Sequence, residues 1–270
     1  MNLIIGNTSQ FFPYFKERDE KIVGVPSRDF KLDSIGVTEY DRALLIFGEH
    51  RTFLDIPYEE YLRVNVDHTL NVINQIKHQC KTIVVFLTSE LWNNHSGAVT
   101  LETPINYNYT HYVKSKDILR DRIIELREAE NLNIIMVYPF NCNSPYRRGE
   151  FLFAKFIKLI NTKTPIEVGD LDMVRDMPHP KLLVDACLNS NHDIIIGSGV
   201  LTNIRDFYIE LLQNFDMDYN YYVTENKNIF KNYRSVFYYD TNEKYNDLIK
   251  DTVEDIKKYL NKNSNDKNNR

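Results

Sequence analysis

Tyr112 and Lys116 stand four residues apart in YVKSKDILRDRIIELREAE, a stretch whose spacing predicts a helix over 112–130. Residues four apart share one helix face, so a phenol and an ammonium can reach a common ligand. Tyrosine is a poor base at neutral pH because its reference pKa is about 10. A nearby ammonium favours the phenolate, and such a pair can remove a hydroxyl proton as hydride leaves the same carbon. The plain alternative is a solvated helix face, since a chain with 18 tyrosines produces this spacing by chance. Thr88 and Glu90 follow the apolar run KTIVVFLTS at 81–89, at the carboxyl end where open parallel sheets place ligands. Being two apart, they are expected to point to one side. The alternative for them is the polar start of a loop.

Positioning such groups requires strands and helices in alternation. Runs rich in Ile and Val recur: NLIIG at 2–6, KIVGV at 21–25, ALLIFG at 43–48, KTIVVFLTS at 81–89, NIIMVYPFN at 133–141 and DIIIGSG at 193–199. None alternates with polar residues, as expected for strands covered on both faces. Between them, 57–79 places Leu62, Val66, Leu70 and Ile73 on one side of a helix. The fold class is therefore read as α/β, a doubly wound parallel sheet of Rossmann type with a smaller C-terminal substrate lobe. The expected division is 1–145 for the dinucleotide-binding domain and 146–260 for the substrate lobe, where longer helices such as 149–160 and 201–215 appear. A strand near 193–199 is expected to return to the main sheet, and the polar tail 261–270 to be disordered.

The first run ends in Gly6-Asn7-Thr8-Ser9-Gln10-Phe11-Phe12. A dinucleotide fingerprint carries three glycines here, for the tight turn, the approach of pyrophosphate and helix packing. Only Gly6 is present, with Ser9 and Phe12 at the other two positions, so a plain strand-to-loop junction stands beside the cofactor reading. On that reading Gly6, Thr8, Ser9 and Gln10 hold the cofactor. Arg28, after the second run, suits a 2′-phosphate better than a 2′-hydroxyl and favours NADP over NAD, although Asp29 is adjacent.

With 33 basic against 38 acidic residues and a net charge of -5, the chain lacks the excess of positive charge that grips a polyanion, so nucleic acid is not an expected partner. Its three cysteines, Cys80, Cys142 and Cys187, form no CxxC pair, and a reducing cytoplasm is expected. No apolar stretch approaches the roughly 20 residues that cross a bilayer, and MNLIIGNTSQFF reads as a buried strand.

Four separate segments together resemble the extended short-chain dehydrogenase/reductase family, and within it the nucleotide-sugar 4,6-dehydratases of the GDP-mannose type. Thr88-Ser89-Glu90-Leu91-Trp92, then Thr103-Pro104 and Tyr112 to Lys116, resemble that subgroup's Thr-Ser-Glu-Leu-aromatic, Thr-Pro and Tyr-x-x-x-Lys elements. Phe140 to Glu150 is similar to its Phe-Asn-x-x-Ser-Pro-Arg-Arg-Gly-Glu, with Tyr146 extra. Gly169 to Asp176 resembles Gly-Asn-Leu-Asp-x-x-Arg-Asp, with His179 where that motif continues, and Val64 to Thr69 resembles Val-Asn-Val-x-Gly-Thr with His68 in place of Gly. The departures are the glycine turn, Trp92-Asn93 for the usual Tyr-Gly, and a chain shorter than typical members.

The resemblance implies a cytoplasmic enzyme of polysaccharide biosynthesis that uses NADP, with NAD as the alternative, and acts as a homodimer on a nucleotide-sugar. Tyr112, assisted by Lys116, would deprotonate the sugar C4 hydroxyl, Thr88 would hold the C4 oxygen, and Glu90 would remove the C5 proton and help expel the C6 hydroxyl. Tyr112 and Lys116 would also contact the cofactor. Asn141 and Arg175 match positions that contact the sugar-nucleotide, and Arg147, with Arg148, suits substrate or cofactor phosphate, a solvated or subunit-interface role being the alternative. A nucleotide-sugar epimerase or 4-keto reductase, and a non-catalytic binding member of the family, are the other readings.

Overall fold

The computed structural model of the chain describes residues 1–36, 39–228 and 236–268. In chain order the first elements are β1 (Asn2–Ile5), α1 (Phe12–Arg18), β2 (Val23–Val25), β3 (Tyr40–Leu45), α2 (Tyr58–Leu62), α3 (His68–Ile76) and β4 (Cys80–Phe86). Next come β5 (Gly97–Val99), α4 (His111–Glu130), β6 (Ile134–Pro139), α5 (Leu152–Thr162), β7 (Ile166–Val168), β8 (Val174–Asp176), α6 (Pro180–Asn189) and β9 (Ile194–Ile196). The last are β10 (Leu201–Asn203), α7 (Ile204–Gln213), α8 (Tyr219–Tyr222), β11 (Val223–Glu225), β12 (Phe237–Tyr239) and α9 (Leu248–Asn268).

The chain divides into two compact units. The first comprises Met1–His95, Thr100–Phe140 and Lys181–Ile196, and the second Ser96–Val99, Asn141–Pro180 and Gly197–Arg270. In the first unit the six apolar runs form one parallel sheet in the order β2-β1-β3-β4-β6-β9. Leu3, Ile4, Ile5, Ala43, Leu44, Val84 and Val137 are wholly buried, as strands covered on both faces require. The chain passes from β1 outward to β2 and then back across to β3, so the strand order reverses between β1 and β3. That is the crevice where doubly wound sheets bind ligands.

The segment expected as one helix over 57–79 is α2 and α3 joined by a π-helical turn, Arg63–Asp67. The extra residue in that turn rotates α3 about its axis, and the buried side of α3 is Thr69, Val72, Ile73 and Ile76, with Leu70 only half-buried. The turn brings Asn65 inward. Its Nδ2 donates to the Glu49 carbonyl at 3.0 Å and to Ser115 Oγ at 2.9 Å, and its Oδ1 accepts from the Glu49 N–H at 2.7 Å. α4 starts at Thr110, whose hydroxyl accepts from the Val113 N–H at 3.1 Å, and stops at Asn131 in the left-handed conformation.

The second unit packs α5, α7 and α9 around Phe156, Leu159, Phe207, Leu211 and Ile256, with the Phe156 and Tyr208 rings stacked at 3.7 Å. The helix expected over 201–215 is shorter than its sequence suggests. Leu201–Asn203 pair antiparallel with β8, and Asn203 then caps α7 by accepting from the Asp206 N–H at 3.1 Å. α9 runs through residues 261–268, where the polar sequence suggested a disordered tail; residues 269–270 lie outside the described residues.

Asp176, at the end of β8, is wholly buried and accepts four hydrogen bonds. Its donors are the Ser198 N–H at 2.6 Å and hydroxyl at 2.7 Å, the Tyr239 N–H at 3.0 Å and the Gly199 N–H at 3.2 Å. One carboxylate thus ties β8 to β12 and to the 198–199 loop. Burial pushes its pKa above the usual value, against four donors that favour the ionised form. An Asp176→Asn variant turns an amide N–H₂ toward backbone donors, which leaves buried N–H groups without acceptors at about 1–3 kcal/mol each. It is expected to destabilise the chain by about 3 kcal/mol in urea unfolding, and a midpoint within error of the parent would refute this role for the carboxylate.

Candidate active site

The site grows from the carboxyl end of β4. Beyond Phe86 the chain leaves the sheet, and Thr88, extended at φ −163° and ψ 144°, caps the 3-10 turn Ser89–Trp92 by accepting the Glu90 N–H at 3.2 Å. Strand alternation therefore ends before Glu90, and the two residues are linked by a cap rather than by the two-residue repeat the sequence suggested. Both are buried, Thr88 at 5% exposure and Glu90 at 9%, and Glu90 Oε2 accepts from Asn93 Nδ2 at 3.3 Å. A carboxylate largely held back from water can serve as a proton acceptor or donor.

α4 brings the second pair. Lys116 is 4% exposed, and its Nζ donates to the Phe86 carbonyl at 2.7 Å, so the ammonium sits two residues from Thr88. Tyr112 lies one turn earlier, half-buried, with its ring 6.4 Å from that of Tyr61. Ser115 connects them to the π-turn, donating to the Tyr112 carbonyl at 2.7 Å while accepting from Asn65. Ser115, and Asn65, which the sequence gives only as part of the Val64 to Thr69 resemblance, are positioning residues without an assigned role in the sequence analysis. The available signal was an asparagine at a buried position of an apolar helix, where such a side chain needs partners.

Burial lowers the Lys116 pKa from 10.5 to about 8. From about 8 to 10.5 the unfolded chain holds a proton that the folded chain has released, so this group makes folding stability rise with pH across that window. Activity is expected to run the other way, because the ammonium that favours ionised Tyr112 is lost above about pH 8. The kcat/KM profile should fall above about pH 8, and Lys116→Arg, whose guanidinium stays protonated, should move the fall upward. A limb unmoved by that change would assign it to another group.

At the first turn Gly6 has φ +111°, and a Cβ there would lie 3.3 Å from the backbone of Ile46, so glycine is needed where β1 meets β3. Phe12 is not in the position of conflict that the missing glycine implied. Its ring lies over Gly24 of β2, where a Cβ would come within 2.3 Å, so the smallness absent from the turn is supplied by the neighbouring strand. The Phe11 ring turns to Phe86 at 6.3 Å, and Ser9 Oγ accepts from the Phe11 N–H at 3.4 Å. Gly48, at φ +155°, lies beyond the end of β3, where a Cβ would meet Asn65 Oδ1 at 3.0 Å and Lys116 Nζ at 3.4 Å. What fits a nicotinamide dinucleotide at this end of the sheet is the donor chemistry, the buried Lys116 ammonium and the polar turn after β1. The residues that would hold it are Gly6, Ser9, Gln10 and Lys116, with Thr8 exposed at the turn. Arg28 is exposed in the turn after β2, with Asp29 beside it at φ +57°.

The remaining sequence-derived residues belong to the second unit. Asn141 is exposed, the Arg147 guanidinium lies 3.8 Å from the Phe151 ring centroid, and Arg175 on β8 donates to the Val174 carbonyl at 2.7 Å. His179 is buried, with Nε2 3.0 Å from Asp255, so it holds α9. No group of His, Cys, Asp and Glu among the described residues could hold a metal ion, and no helix among them is long and apolar enough to cross a membrane.

A family model described as GDP-mannose 4,6 dehydratase matches residues 55–262. No curated protein matches. Among solved structures, the chain is similar to RMD from Pseudomonas aeruginosa complexed with NADPH, at 15% identity and TM-score 0.75, over 96% of this chain and 98% of that one. It is similar to UDP-glucuronic acid 4-epimerase from Bacillus cereus in complex with UDP-glucuronic acid and NAD, at 15% identity and TM-score 0.78, over 97% and 99%. It is also similar to the dTDP-glucose 4,6-dehydratase DesIV from Streptomyces venezuelae, a double mutant with NAD bound, at 15% identity and TM-score 0.75, over 94% and 96%. At such identities these likenesses show the fold.

Proposed function

Because the chain belongs to the GDP-mannose 4,6 dehydratase family, a family of nucleotide-sugar enzymes, we propose that it is itself a nucleotide-sugar 4,6-dehydratase of the GDP-mannose type. The observation that carries the reading is the 2.7 Å hydrogen bond from Lys116 Nζ to the Phe86 carbonyl, which joins two motifs thirty residues apart into one buried locus beside Thr88. A bound nicotinamide dinucleotide would supply the acceptor for hydride from C4 and the donor of hydride to C6. Tyr112 takes the C4 hydroxyl proton, Lys116 favours its ionised form, and Thr88 donates to the C4 oxygen. Glu90 removes the C5 proton, which the C4 ketone has made acidic, and passes a proton to the departing C6 hydroxyl, so that water leaves. With hydride taken from C4 and given back at C6, the reaction would consume no net oxidant.

Asn141 is assigned to the sugar-nucleotide, and Arg147 and Arg175 to its diphosphate, for which guanidinium geometry is suited. Arg28 after the end of β2 favours NADP. A homodimer in the cytoplasm, acting in polysaccharide biosynthesis, completes the proposal. Incubation with a panel of nucleotide-sugars and NADP tests it. A 4-keto product without net NADPH is expected; stoichiometric NADPH, or a C4 epimer retaining its C6 hydroxyl, would replace this reading with one of the other activities.

A further inference from the structure

Asn93, directly after the 3-10 turn that carries Glu90, is 2% exposed, and its amide is bonded at both ends. Its Nδ2 donates to Glu90 Oε2 at 3.3 Å, and its Oδ1 accepts from the Asn108 N–H at 2.5 Å. A backbone N–H can only donate, so the amide oxygen must face Asn108 and the NH₂ must face the acid. We propose that Asn93 is a positioning residue for Glu90, holding the carboxylate in the orientation from which it takes the C5 proton. The role in the reaction rests on the dehydratase reading; the hold on the carboxylate does not.

The far end of the amide is anchored. The Asn106 N–H donates to the Leu91 carbonyl and the Asn94 N–H to the Asn106 carbonyl, both at 3.1 Å, while Asn94 Nδ2 donates to Asn106 Oδ1 at 2.9 Å. The Tyr107 hydroxyl donates to Asp117 Oδ2 on α4 at 2.7 Å, and Thr110 caps that helix just before Tyr112. Asn93 therefore connects the acid to the segment that leads into the helix of the phenol. A glutamate keeps several side-chain torsions that burial alone does not fix, and each bond to its carboxylate removes some of that freedom.

The position is one where this chain departs from the motif it resembles, and the glycine of that motif could make neither bond. Asn93 has φ −67° and ψ −9°, an ordinary right-handed conformation that alanine or aspartate adopts without strain. The two ends of the amide can thus be tested apart. Asn93→Asp keeps an oxygen for the Asn108 N–H but turns a second carboxylate toward Glu90, whereas Asn93→Ala removes both bonds. A role confined to clamping the 106–108 segment survives the first change; a hold on the acid does not.

Single-turnover reactions of the full chain with GDP-mannose and NADP read C4 oxidation as reduced cofactor and water loss as 4-keto-6-deoxy product. In both variants water loss is expected to fall by about 10–100-fold, the scale of a small misplacement of a reacting group, while C4 oxidation and folding are kept. Water loss at the parent rate in Asn93→Asp would overturn the proposal, and so would an equal fall of both half-reactions in the two variants, which would give Asn93 to the turn rather than to the acid. A second measurement needs no turnover, so failure of the hold is separable from failure of the dehydratase reading. In the ¹⁵N-labelled chain the bonded Nδ2 proton of Asn93 is expected to move upfield in Glu90→Ala while the Asn108 N–H signal stays in place; an Asn93 amide signal unmoved by that change would overturn the hold itself.

Discussion

Tyr112→Phe is expected to lower kcat by about three orders of magnitude with little change in folding, within the 10²–10⁴ range for removing a general base. Phenylalanine keeps the ring and its contact near Tyr61 but removes the oxygen that takes the C4 proton. The hydrogen bond from Ser115 to the Tyr112 carbonyl is a backbone one and is kept in the variant. Circular dichroism and the unfolding midpoint should therefore match the parent while product formation is lost. A rate within tenfold of the parent would remove Tyr112 from the mechanism, and a lost fold would make the kinetics uninformative. In that case Lys116→Met, read by the same assay, decides whether the α4 pair is involved.

Glu90→Gln is expected to separate the two halves of the reaction. The amide keeps the volume at a site 9% exposed and can still bond Asn93, yet it cannot take the C5 proton. Water loss should fall by about 10²–10⁴-fold, while oxidation at C4 continues and reduced cofactor accumulates up to the enzyme concentration. Elimination at the parent rate would show that the acid is misassigned, whereas loss of both half-reactions would point to Glu90 holding the 3-10 turn rather than transferring protons.

The sheet was legible because parallel strands buried on both faces show as uninterrupted Ile and Val runs, and all six such runs became its six strands. β5, which pairs with β12 some 140 residues later, carries no Ile and Val run and leaves no period to read. The π-turn at Arg63–Asp67 was invisible for a related reason: one inserted residue breaks a helical stripe without any residue type marking the break, and what drives it, Asn65 reaching Glu49 and Ser115, is long-range. At the site, the Tyr112 and Lys116 spacing was readable as a shared helix face, but the burial of Lys116 against the Phe86 carbonyl was not. The first turn shows the same limit from the opposite side. Phe12 looked like an obstruction because its complement, Gly24, lies on another strand, and no local pattern connects the two.

The central claim is that hydride leaves C4 and returns within the same sugar at C6. A nucleotide-sugar carrying deuterium at C4, turned over with catalytic NADP and analysed by NMR, measures this directly. A 4-keto product with the deuterium in its new methyl group is expected; deuterium retained at C4, or transferred out of the sugar into accumulated reduced cofactor, would contradict the claim.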